Sequence, residues 1–229
     1  MKRIFYFLPV LLISNFVSAQ NPPAAIPKKV VKPTTDKTVV VPAATIASCQ
    51  RATQVLGDNV IKQNFLFALE KMYPRFKKRQ IAMHGEKKFK QVFLDMPKTL
   101  NNMGVTINSF KADPPIAFFR VWPQIKPAAK LKLERGEQKD VIAGDVVYNW
   151  LIMVPTTQVW TFTSNQGKPP RQLKRVGFQI AVAKEAAVPG EEQWTFIDGG
   201  TIKPQDLRAM FPSLPQQLIL PAREDSEIK

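Results

Sequence analysis

The chain of 229 residues has a single cysteine, Cys49, and a single histidine, His84. With one cysteine, no disulfide framework closes within the chain. Cys49 does not directly follow the apolar leader, as a lipidated cysteine would, but lies near the end of a proline-rich segment. It reads as a plain thiol, with an intermolecular disulfide as the alternative in an oxidising compartment. One imidazole excludes a two-histidine metal site and a Cys–His cluster within one chain. It also removes most catalytic arrangements that rest on a positioned imidazole near neutral pH. No cofactor and no metal are therefore expected. Long apolar runs are scarce as well. The one at the start, Ile4 to Ile13, is ~10 residues, about half of what a spanning helix needs. Acidic residues are few, 18 against 33 lysines and arginines. No internal repeat is evident.

The short apolar run follows Lys2 and Arg3 and precedes Val17-Ser18-Ala19, a small-residue cleavage site before Gln20. Charge, apolar run and small residues in that order read as a cleaved secretory signal peptide over 1–19, with export to the periplasm. Losing Lys2 and Arg3 leaves 31 cations against 18 acids, so the net charge falls from +15 to +13. Such a surplus favours association with acidic surfaces through salt-screened attraction, although it also keeps an exported protein in solution. Residues 20–45 hold Pro22, Pro23, Pro27, Pro33 and Pro42 with Lys28, Lys29, Lys32 and Lys37, and no aromatic residue. They read as a semi-rigid tether. Residues 46–222 have the composition of a single globular domain, and 223–229 read as a disordered tail.

Within the domain, Ile61, Phe65, Ala68, Leu69 and Met72 fall at helical spacing after Asp58, a candidate cap, and Pro74 marks the end. Phe89, Val92, Phe93, Met96, Leu100 and Met103 form a second helical stripe, interrupted by Pro97 and stopped by Gly104. After Asp113-Pro114-Pro115 the pattern turns to strands: Ile116 to Trp122, Ala129 to Arg135, Val141 to Val154, Val159 to Thr163, Leu173 to Lys184 and Trp194 to Ile197. In Leu173 to Lys184, Val176, Phe178, Ile180 and Val182 face one way, with Arg175 and Gln179 facing the other. Asp198-Gly199-Gly200 reads as a turn, Pro204 to Met210 as a short helix, and Leu214, Leu218 and Leu220 as an extended strap among prolines. Helices followed by long antiparallel strands predict an α+β domain, with N-terminal helices packed on a strongly curved antiparallel sheet.

The run Val146-Val147-Tyr148-Asn149-Trp150-Leu151-Ile152-Met153-Val154-Pro155 is followed by the strand pair Gln158 to Ser164 and Arg171 to Lys184. With the preceding helices, it resembles the cystatin-like superfold typified by nuclear transport factor two, over residues 58–198. It is also similar to the periplasmic domains of type IV secretion assembly components. Those are held by a transmembrane helix, where this chain has a signal and a tether. The segment Trp194 to Gly200 with its strap resembles exported proteins of the same superfold. The resemblance implies a helix-backed bent sheet that hosts enzymes, binders and scaffolds alike.

Two sets of residues are candidate sites. Lys71, Arg75, Lys77, Lys78, Arg79, Lys87, Lys88 and Lys90 are opposed within their span only by Glu86. They read either as an anion- or partner-docking patch with Phe76 and Phe89 as apolar anchors, or as a solvated helix end and loop. Lys168, Arg171, Lys174 and Arg175 form a second cluster, read as solvated. For a pocket, Tyr148, Trp150, Trp160, Phe178 and Trp194 are the candidate lining, with Asp145 or Asp198 as a general base. The aromatic residues lie on core-facing stripes rather than between exposed cations, which argues against nucleic-acid binding. The sequence favours an exported, non-enzymatic domain that docks an envelope protein or acidic surface, with a homo-oligomer also open. A small-ligand pocket or an acid–base enzyme of the same superfold is the alternative.

Overall fold

The computed structural model describes residues 40–121, 148–163 and 169–228. The signal, most of the tether, the strand expected over Ala129 to Arg135, Asp145 and Lys168 lie outside the described residues. Four helices come first: α1 (Ala43–Ile61), α2 (Phe65–Glu70), α3 (Pro74–His84) and α4 (Glu86–Asn102). Strands β1 (Val105–Ala112), β2 (Ala117–Val121), β3 (Asn149–Phe162), β4 (Arg171–Lys184) and β5 (Thr195–Asp198) follow, then α5 (Pro204–Met210) and β6 (Glu224–Ile228). This is an α+β domain with helices packed against an open antiparallel sheet of six strands.

The long strands β3 and β4 form the centre, paired from Asn149–Lys184 to Phe162–Arg171. Each outer side is completed by two short strands. β1 and β2 share the free side of β3, while β5 and β6 share that of β4. Pro155 sits inside β3 at no cost to the ladder. Opposite it the chain turns through Asp113–Ile116, where the Asp113 N–H donates to the Pro155 carbonyl and the Ile116 N–H to that of Met153. The N–H that proline lacks would point to the same side as its carbonyl, where the β1 ladder has already ended at Ala112–Thr156. The two strands expected over Val141 to Val154 and Val159 to Thr163 are therefore one, through a proline that reads as a terminator.

Register assigns the faces. Trp150, Ile152 and Val154 of β3 share a side with Ala181 and Ala183 of β4 and Phe196 of β5. These residues are buried in one cluster with Cys49 and Leu56 of α1. On the opposite face, Leu151, Met153, Ile180, Val182 and Ile197 are buried with Leu207, Met210, Phe211, Leu214 and Leu218 of α5 and the strap. The strap is thus part of the core. Burying a side chain such as Phe211 stabilises the fold by about 1.5–3 kcal/mol. α1 also closes the edge of β1: Gln54 donates to the Phe110 carbonyl and accepts from the Ala112 N–H, and Gln50 donates to the Ala112 carbonyl. An exposed strand edge is thereby blocked.

Several expectations are corrected. Asp58 does not start a helix; it lies inside α1 and accepts from Gln54 four residues earlier. The helix ends at Ile61, Gln63 just beyond it takes left-handed backbone at φ 58°, and the apolar spacing continues across that break. Pro74 opens α3 rather than closing a helix, in the first-turn position where its missing N–H is not needed. Cys49 belongs to the core, not to a tether. β1 escapes the alternation test because a bulge between Ile107 and Ser109 shifts its period. The tail is ordered: Glu224–Ile228 is strand β6, drawn to basic β4 by Arg171–Glu227 and Arg175–Asp225 ion pairs.

Candidate functional site

On the helix-facing side of the sheet, the apolar rows are interrupted by polar residues. Register places Thr156 and Gln158 of β3, Arg175, Gly177 and Gln179 of β4, and Asp198 of β5 on this side. The helices above contribute Leu56, Phe65, Met72, Phe76, Phe93 and Met96, enclosing a cavity of about 140 Å³ over the strip. The size is comparable to the ~150 Å³ apolar cavities that take up benzene. Gly177 keeps the floor low, since a Cβ there would meet only the Thr156 hydroxyl oxygen, at 3.9 Å. Gly200 and Arg223 at the rim also border a groove under the strap, with Ile202, Leu218 and Pro221.

Arg175 organises one end of the strip. It is 6% exposed, stacks 4.5 Å from the Trp160 ring centre and donates from Nε and Nη2 to Asp225 at 2.8 and 3.1 Å. Arg223 donates to the same carboxylate at 3.2 Å. Burial opposes the charged form of Asp225, yet these hydrogen bonds and charges hold its pKa below the usual carboxylate value. Asp198 behaves in the opposite sense. Burial raises its pKa, only partly countered by hydrogen bonds from the Gly200 N–H and the Thr201 side chain and by the charges of Arg223 and Arg175. Its carboxylate accepts from the Gly200 N–H at 3.2 Å and forms no ion pair among the described residues. Thr156 is 2% exposed and borders the cavity.

Of the aromatic residues expected to line a pocket, only Phe178 borders this cavity. Trp150 and Trp194 pack with α1, where the Trp194 indole donates to Ser48. Trp160 lies under Arg175, and Tyr148 under the Arg120 guanidinium at 3.8 Å. The lining is phenylalanine and methionine. Thr156, Gln158, Gln179 and Arg223 were missed, and Arg175, expected in solvent, is buried. Extending the inward parity of Ala181 and Ala183 back along β4 would have shown Gln179, Gly177 and Arg175 facing the helices.

The basic run is not a loop. Beyond Lys71, which caps α2, it follows α3 and the start of α4, joined at Gly85 with φ 79°. Its members divide. Arg75 donates to the Met210 carbonyl at 2.8 Å, and Arg79 pairs with Asp206 at 2.7 Å, so both fasten α5. Lys71 lies beside Glu70 and the Phe67 ring. Phe76 and Phe89 are core residues, not exposed anchors. Lys77, Lys78, Lys87, Lys88 and Lys90 have no ion-pair or hydrogen-bond partner among the described residues, and all but half-buried Lys77 are exposed. His84 closes α3 and does not border the cavity. Among the described residues no cluster of three or more metal-ligating side chains occurs, and no helix is long and apolar enough to cross a membrane. Compared with protein-family models, curated proteins and solved structures, the chain matches none.

Proposed function

We propose that this is an exported, non-enzymatic binding domain that docks an acidic envelope protein through the lysine edge formed by α3 and α4. The observation that carries the reading is the division of the basic run. Its arginines are used inside the fold, while Lys77, Lys78, Lys87, Lys88 and Lys90 are left without partners among the described residues. A cationic surface held on two rigid helices steers an acidic partner and fixes its register. Exposed Met83, between the two lysine groups, adds apolar contact area. The signal and tether supply export and reach, and a type IV secretion-like assembly is the setting that the sequence resemblance implies.

The test is charge reversal. In-cell crosslinking of the tagged full chain should recover a discrete envelope protein, and K77E/K78E/K87E/K88E/K90E should lose it while keeping its thermal midpoint. An unchanged crosslinking pattern in the reversed variant would refute the docking surface.

A further inference from the structure

We infer that the cavity over the sheet is a binding site for a small primary amine with an apolar body, held by its ammonium group at Asp198 and Gln179. This site is separate from the lysine edge and does not depend on it. The polar groups around the cavity are not equally available. Arg175 and Arg223 both point their guanidinium groups at Asp225. Gln158 accepts from the Trp160 indole at 2.9 Å. What remains is the Asp198 carboxylate, without an ion pair among the described residues, and the Gln179 amide, which makes no side-chain hydrogen bond among them.

Gln179 is directly opposite Asp198 across β4 and β5, and cross-strand neighbours directly opposite stand about 5 Å apart, within reach of one ligand group. Both offer acceptor oxygens, and an ammonium carries three N–H donors and no acceptor. Thr156, opposite Gly177 on β3, belongs to the cavity floor further along. A carboxylate ligand would instead place like charge against Asp198. The apolar half of the ligand is set by the roof. Phe65, Met72, Phe76, Phe93 and Met96 offer no hydrogen bond, and about 140 Å³ admits one phenyl ring or a short alkyl chain.

The probe is 2-phenylethylamine, compared with ethylbenzene and 3-phenylpropionate, by calorimetry and ligand-observed NMR on the mature protein. The amine should bind saturably at one site, at least tenfold more tightly than either control. Asp198→Asn should remove that preference, and Gly177→Val, which fills the floor, should abolish binding without lowering the thermal midpoint. Absence of saturable amine binding would overturn the inference, as would equal affinity for a control. So would amine affinity unchanged in either folded variant.

Discussion

Two carboxylates a few residues apart in space have opposite electrostatics, and each makes a prediction. Asp225 has a lowered pKa, because the hydrogen bonds from Arg175 and Arg223 outweigh the cost of burial. Its contribution is therefore present above its unfolded pKa and lost as pH falls through the folded value. Asp198 has a raised pKa, with burial as the main cause. Its stabilising contribution belongs to the protonated form, complete below the unfolded pKa and lost as pH rises through the folded one. Asp198→Asn should thus melt higher than the parent at pH 7 and converge with it near pH 3. Asp225→Asn should melt lower at pH 7 and also converge in acid. Thermal scans across that range decide both, and the reverse order at pH 7 would contradict the assignments. Cys49 is 0% exposed and burial pushes its thiol up to about 12. Native protein should resist alkylation and stay free of intermolecular disulfide, while denatured protein should label fully. Labelling at equal rates in both states would show the helix open.

At the scale of elements, legibility followed the side chains that carried the signal. The α4 stripe, β4 and α5 are evident in sequence because their buried residues are large and apolar at regular spacing. α1 is not, because its buried face is Thr45, Ser48, Cys49 and Thr53, a row whose polarity conceals its burial. Glu192 explains that row: it accepts from the Thr45 hydroxyl and from the Gly190 N–H, so a polar contact ties α1 to the loop before β5. The cavity was hidden for a related reason, since its floor is made of residue types that ordinarily mark solvent. Close packing makes α1 sensitive at Gly57, where an added Cβ would fall 1.9 Å from the Phe110 ring. Gly57→Ala should cost about 1–3 kcal/mol by overpacking, read as a lower denaturant midpoint; a neutral result would show that Phe110 can turn away freely. Ending the chain after Arg223 removes β6 and leaves buried Arg175 without Asp225. The loss should be roughly 1.5–3 kcal/mol, the scale of a charged hydrogen bond, and an unchanged midpoint would mean that β6 is ornamental.

For the whole molecule, opposite charges are sorted by place. Acidic β6 neutralises the basic start of β4, and Asp206 of α5 takes up Arg79. The α3–α4 lysines are left as the concentrated, unneutralised charge on the described helices. Attraction of this kind is screened beyond about 8 Å at physiological salt, so docking through it should weaken steeply as salt is raised. The most direct test places a photo-crosslinking residue at Lys88, on α4, and separately at Lys174, on the sheet face turned away from α1–α4. One discrete envelope partner captured from Lys88 and not from Lys174 is the predicted result. Capture from both positions alike, or from Lys174 alone, would contradict docking by the lysine edge.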